Sequence, residues 1–445
     1  MKKKFFWMAL AATAMASCSQ DEVVEMQQSE IKFNVATEKM TRAAEIYDAV
    51  TPMSSFKVWA DLTRTKAGQT TPTTEVYIDG DVITNKISED KTALTSIWNG
   101  DVVRYWPSAS NGTLDFYALV NEDSYDHSTK QVTFTAGEAE VDANGRTITT
   151  LKNKDLLYAV AVDQTKESNT LNPGSVRLNF RHALSQILFQ AKNENPQLYI
   201  EIGGVKIGQV KNKGVLTLKE LSTSDQWENR GGVGDPSKTT WNHSQWAWAD
   251  DAKTLSYYIS CAPSSNRGVP VKGNGQTVGL TTTNASMGTQ PALLIPTEAE
   301  TGGKTTAWVP TANASSYNGT YLAVLCTFYN VSTPATEDNP YPDPKKVEID
   351  PDMAADINPA IDEAVLYSGF VYIPVSFEWE QGKKYVYTFT FGKGTDGGYE
   401  GGFDDVPDPE PTPALVPITY EVSIDDFVAA EGEEEVNTED TSANS

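Results

Sequence analysis

Histidine and cysteine are the residues best equipped for chemistry, and this chain of 445 residues has three of each. His127, His182 and His243 stand far apart. No Ser/His/Asp arrangement and no His/Cys cluster of metal-ligand spacing stands out around them. His182 lies inside an alternating apolar run, where a structural role is the expectation. Aspartate and glutamate total 60 but follow no calcium-loop pattern, so residues 338–352 read as a solvated acidic loop. The glycines of 394–402 precede no helix and make no phosphate loop. The expectation is a chain that is not an enzyme and uses no metal or cofactor.

Other residues offer binding or processing rather than catalysis. Trp227, Trp241, Trp246 and Trp248 cluster in a polar stretch. Exposed, they are candidate contacts for a glycan or a partner surface; buried, they cap a core. Cys261 and Cys326 leave two readings open, a disulfide in an exported protein or two buried thiols on strands. Arg42 stands among small and polar residues, in Met40-Thr41-Arg42-Ala43-Ala44. The formal net charge of −25 argues against nucleic-acid binding through phosphates and favours a soluble, non-sticking body.

The N-terminus addresses the chain for export. Lys2, Lys3 and Lys4 precede the apolar residues 5–16, and small residues precede Cys18. This is a secretion signal, too short to be a stable spanning helix. Met15-Ala16-Ser17-Cys18 resembles a bacterial lipobox, which is cut so that the cysteine becomes an acylated N-terminus. The acidic Ser19-Gln20-Asp21-Glu22 resembles a surface-export signal of lipoproteins. The body is therefore expected outside the cell, held to the outer membrane by acyl chains on Cys18.

The elements that must position these residues are strands. Ile31-Lys32-Phe33-Asn34-Val35, Phe56-Lys57-Val58-Trp59-Ala60 and Leu114-Asp115-Phe116-Tyr117-Ala118 alternate apolar and polar side chains. Trp98-Asn99-Gly100-Asp101 carries a hairpin signal. About seven short strands up to Val162 fit one β-sandwich. A second set begins near Val176 and runs to about Phe391, interrupted by a long loop at 330–362. Residues 392–413 are mostly Gly, Asp, Glu and Pro, an extended linker with no core of its own. Beyond it Ile418, Tyr420, Val422 and Ile424, with Phe427 close behind, form a strand set apart from its domain. Such a strand must bury its apolar face by folding back or by joining another molecule's sheet. An acidic tail follows.

Taken in order, these blocks resemble the fimbrillin family. They are Ile31-Lys32-Phe33 with Thr41-Arg42-Ala43, Phe56 to Ala60, Trp98 with Tyr105-Trp106-Pro107, Leu178 to Ile187, Leu293-Leu294-Ile295-Pro296, and Trp379-Glu380-Gln381-Gly382-Lys383-Lys384-Tyr385. The resemblance implies an all-β fold of two tandem transthyretin-like (Greek-key) β-sandwich domains plus a C-terminal donor strand. On that basis 1–17 is a signal peptide, 18–42 a tether and propeptide strand, 43–172 and 173–393 the two domains, and 394–445 the linker, donor strand and tail. It further implies cleavage between Arg42 and Ala43, with Arg64 as a rival site. The first strand then departs, and Ile418, Tyr420, Val422, Ile424 and Phe427 of another subunit fill the groove. The expected partners are other pilus subunits, and before cleavage the lipid of the outer membrane through Cys18. The expected role is structural, in a surface fimbria, with stalk favoured over tip. A surface lipoprotein that binds glycans through its tryptophans is the alternative.

Overall fold

The computed structural model describes residues 29–37, 53–87, 94–107, 112–141, 147–152, 154–170, 173–218, 245–261, 268–281, 291–310, 319–330, 365–393, 397–401, 412–414 and 416–426. These residues are all-β apart from loops and a helical turn at Thr297–Ala299. The first strands are β1 (Lys32–Thr37), β2 (Ser55–Arg64), β3 (Thr73–Ile87), β4 (Leu94–Gly100), β5 (Thr113–Val120), β6 (Ser124–Asp126), β7 (Gln131–Thr135) and β8 (Gly137–Val141). Next come β9 (Thr147–Leu151), β10 (Leu157–Gln164), β11 (Ser175–His182), β12 (Ser185–Asn193), β13 (Leu198–Lys211), β14 (Lys213–Thr217), β15 (Gln245–Trp248) and β16 (Thr254–Ser260). The last are β17 (Val269–Lys272), β18 (Thr277–Gly279), β19 (Ala292–Leu294), β20 (Tyr321–Asn330), β21 (Val365–Pro374), β22 (Lys383–Phe391), β23 (Tyr399–Glu400), β24 (Thr412–Pro413) and β25 (Ile418–Asp426).

The first half closes on itself. β1, β11, β10, β5, β2, β3 and β4 form a barrel in that order. Strand alternation explains its core, because side chains of period two point to one face. Phe56, Val58, Ala60 and Leu62 of β2 point inward with Phe116, Ala118, Leu157, Ala159, Val176, Leu178 and Phe180. The opposite faces of the same strands are apolar too. Trp59, Tyr117, Leu119 and Tyr158 belong to a second core, shared with the rest of the chain.

That second core lies between two sheets. One has the order β18-β12-β22-β25, with β19 beside β12. The other has the order β16-β13-β20-β21-β23-β24, with β17 beside β13. Phe189, Tyr387 and Phe389 of the first pack with Ile202, Val324 and Phe328 of the second.

A third sheet, β15-β14-β7-β6, joins the halves. β7 follows the barrel strand β5 in sequence, yet it pairs with β14 from Lys213↔Thr135 to Thr217↔Gln131. Side chains reinforce this seam. Gln381 donates to the Tyr158 hydroxyl at 2.6 Å, and Asn212 Nδ2 donates to the Gly137 carbonyl at 2.9 Å. Gly137 permits the contact, because a Cβ there would stand 2.5 Å from a ring carbon of Tyr257.

Three placements differ from the reading of the sequence. The sequence places residues 175–182 at the head of the second half, but as β11 they close the first barrel beside β10 and β1. The proline-rich linker is docked in part, since Tyr399 and Glu400 pair with β21 and then with β24. The strand at its end does not stand apart, for β25 pairs with β22 of the same chain. The physical reason is common to all three: each segment satisfies its backbone groups on the nearest open sheet edge.

Because one core serves both halves, unfolding should be a single event. Phe134, on β7 and 1% exposed, is placed to test this. Phe134→Ala should cost about 3–5 kcal/mol. Urea curves followed by tryptophan fluorescence and by circular dichroism should shift together. Two separated transitions would show that the halves are independent.

Candidate functional site

The assembly site expected from the sequence has two parts, and both are ordered strands. The first is β1, whose residues run along the closing seam of the barrel. It pairs in parallel with β11, from Lys32↔Ser175 to Thr37↔Phe180, and antiparallel with β4 at Phe33↔Trp98. Just before it, Ile31 N–H donates to the Arg104 carbonyl and Trp106 N–H to the Ser29 carbonyl, each at 2.8 Å. Trp106 closes this end of the seam, donating from Nε1 to the Gly174 carbonyl at 2.9 Å. Gly174 has φ +86, a conformation that favours glycine.

Alternation gives β1 its grip. Ile31 and Phe33 are buried, and Val35 is half-buried against the same core. Phe33 meets Phe56 and Phe116 edge-on, with centroids 5.9 and 6.0 Å apart. Lys32 and Asn34 point to solvent. No hairpin ties β1 to a sheet neighbour, because β11 lies far along the chain and β4 follows two other strands.

The second part is β25, an edge strand. Its nine residues pair antiparallel with β22, from Ile418↔Phe391 to Asp426↔Lys383. Ile418 is fully buried and Tyr420 is half-buried, its ring 6.3 Å from Tyr387. Further along the same face the cover ends. Val422 is 39% exposed and Ile424 is 58% exposed. They stand opposite Tyr387 and Tyr385, both buried, and burial pushes the Tyr385 phenol up to about 12. On the other face Lys384 Nζ pairs with Asp425 at 3.3 Å.

Cys18, Arg42, Ala43, Trp227, Trp241, His243 and Phe427 lie outside the described residues. Arg64 is the last residue of β2, paired with Thr73 and hydrogen-bonded to Glu75. Trp246 is not an exposed contact. It is 6% exposed, packs in the shared core and donates from Nε1 to the Ala183 carbonyl at 2.9 Å. It faces inward because β15 is paired with β14 and Trp246 alternates with exposed neighbours. Trp248 is half-buried, with Lys211 Nζ 5.2 Å from its ring centroid. Cys261 and Cys326 are free, buried thiols. β13 runs between them, since Cys326 pairs with Ile202 and Cys261 N–H donates to Gly203. Strands two apart lie roughly 9.5 Å from each other, too far for a disulfide.

The two described histidines are packing residues with carboxylate partners. His182 Nδ1 lies 2.9 Å from Asp155, both buried. His127 Nε2 lies 3.0 Å from Asp61, which Lys130 also contacts at 2.5 Å. Tyr125 stacks on the His127 ring, and this group holds the β6–β7 hairpin on the outer face of the barrel.

The pairing that matters most was not readable in advance. The sequence marked both strands but could not show that β11 and β4 flank β1, nor that Phe56 and Phe116 form its aromatic pocket. Alternation alone does not name a partner across more than a hundred residues.

Comparison with known proteins identifies the family of the chain. A family model described as fimbrillin-like matches residues 41–402, and the chain belongs to that family. Among solved structures, a Bacteroides ovatus protein assigned to cell adhesion is similar, at 12% identity and TM-score 0.38, covering 91% of this chain and 99% of that one. A Bacteroides uniformis protein with the same assignment has 11% identity and TM-score 0.35, covering 90% and 97%. The fimbrial anchor protein Mfa2 from Porphyromonas gingivalis has 10% identity and TM-score 0.24, covering 88% and 98%. No curated protein sequence matches the chain.

His127 gives the structure a pH dependence. Burial lowers its pKa, Asp61 opposes this and Lys130 adds to it; Asp79 and Asp126 also act on it. The folded state therefore disfavours the charged ring, which the unfolded chain accepts below pH about 6.5. Its stability contribution is full above that pH and is lost as pH falls towards the lowered folded value. Urea midpoints should fall between pH about 6.5 and 5 in the parent and stay flatter in His127→Gln. Equal slopes in the two proteins would remove His127 from this role.

Proposed function

We propose that this fimbrillin-like chain is a structural subunit of a cell-surface fimbria, made as a lipoprotein precursor and polymerised by strand replacement. In this reading Cys18 is acylated and holds the precursor at the outer membrane. A protease cuts between Arg42 and Ala43. β1 then has no covalent link to the barrel and can be displaced. β25 of another subunit takes its place, and the subunit acts in the stalk.

One observation carries the proposal: Val422 and Ile424 lie on the core-facing side of β25, yet remain 39% and 58% exposed in their own sheet. A strand so placed gains by moving to a site that covers it. The seam of β1 is such a site. It offers pockets for three side chains, each contributing roughly 1.5–3 kcal/mol on burial, a ladder with β11 on one flank and the Phe33↔Trp98 pair with β4 on the other. Arg64 suits cleavage less. A cut there would also excise β2, which carries Phe56, Val58, Ala60 and Leu62 into the core. The glycan-binding alternative loses Trp246 as a contact, since that indole is buried.

The test is the N-terminal residue of the protein recovered from the surface of its native cells, read by intact mass and peptide analysis. An N-terminus at Ala43 is expected, with polymer ladders that vanish when 414–445 are deleted. Acylated Cys18 as the sole form would overturn the stalk assignment. Ladders that survive the deletion would overturn the role of β25.

A further inference from the structure

β1 and β25 carry the same side-chain pattern in the same chain direction. Ile31-Lys32-Phe33-Asn34-Val35 and Ile418-Thr419-Tyr420-Glu421-Val422 both read Ile, polar, aromatic, polar, Val. Resting on the strand-replacement reading above, we infer that β25 of one copy enters the next copy with the polarity and register of β1, residue 418 standing where 31 stood. The incoming strand then runs parallel to β11 and antiparallel to β4.

The aromatic pocket fixes the position. Phe33 fits between Phe56 and Phe116, and Tyr420 is the sole aromatic residue of 416–426. With Tyr420 in that pocket, the flanking residues fix the direction. In the parallel sense Ile418 replaces Ile31 and Val422 replaces Val35. In the reverse sense valine falls at 31 and isoleucine at 35, so neither flanking pocket receives the residue that it holds now.

Charge and backbone agree with the parallel sense. Asn34 pairs with Arg177, so Glu421 would stand beside that half-buried guanidinium. In the reverse sense Thr419 faces Arg177 and Glu421 faces Ser175. Pro417 falls at position 30, and the bonds that hold 29–32 use the N–H groups of Ile31 and Lys32 and the carbonyl of Ser29. Proline there breaks none of them. The reverse sense carries Pro417 to position 36, inside the ladder with β11, where a missing N–H costs a bond.

The register also explains the apolar residue beyond the shared pattern. Ile424 falls at position 37, whose partner is Phe180 in the barrel core. In its own sheet Ile424 is 58% exposed. The replacement strand thus reproduces the three apolar contacts of β1 and adds a fourth.

Disulfide trapping tests this in a Cys18→Ser background. Acceptor protein is cut with an arginine-specific protease and mixed with uncut donor protein. The acceptor carries Arg177→Cys or Asn179→Cys, and the donor carries Glu421→Cys, Ser423→Cys or Thr419→Cys. Arg177→Cys should link to Glu421→Cys, and Asn179→Cys to Ser423→Cys, as species lost on reduction. Linkage of Arg177→Cys to Thr419→Cys instead would overturn the polarity while leaving strand replacement standing. Absence of any polymer, by gel or electron microscopy of the pair without the introduced cysteines, would remove strand replacement itself and this inference with it. A charge exchange guards against a poorly folded cysteine variant. Arg177→Glu in the acceptor should slow assembly at least tenfold, and Glu421→Arg in the donor should restore it. Failure of the exchange to restore the rate would overturn the register.

Discussion

The seam strand β1 is the contact on which the barrel depends. It bridges β11 and β4, and without it neither flank has a partner on that side. The ladder with β11, the Phe33↔Trp98 pair with β4 and three inward side chains hold it, but no tight turn does. Its grip is therefore wholly non-covalent apart from the connection that runs on to β2. Such a strand can be indispensable to the fold without being tied to its sheet neighbours by the chain. Parallel pairing makes this possible, because parallel neighbours cannot be joined by a two-residue hairpin.

The rest of the molecule keeps that seam in shape. β2, β5 and β10 are apolar on both faces, lining the barrel within and the shared core without. A sheet buried on both sides has little freedom to spread when one member leaves. The antiparallel sheet β15-β14-β7-β6 and the Gln381–Tyr158 bond tie the barrel to the second half, where β25 lies. The seam of β1 and the strand β25 are thus mounted on one continuous body.

β25 shows the complementary economy. Its first apolar residue is buried, and cover then thins along the strand until Ile424 is mostly open to water. Folding back onto β22 satisfies one row of backbone groups and shields an edge that would otherwise invite indiscriminate pairing. Paired with β22, the strand leaves Val422 and Ile424 with less apolar burial than their alternation could achieve.

The sequence by itself determined the all-β class, the two alternating strands and the shared Ile-polar-aromatic-polar-Val pattern. These are local properties, fixed by side-chain period and residue type over a few neighbours. It also marked the four tryptophans, but it could not say that Trp246 turns inward, because burial depends on what lies across the sheet. Only the tertiary structure decided that β11 belongs to the first barrel, that β7 pairs with β14, and that β13 separates Cys261 from Cys326. Strand partners are chosen by long-range pairing among many segments of similar pattern. Alternation tells a strand which face to bury, and only the assembled sheets decide which strands lie beside it.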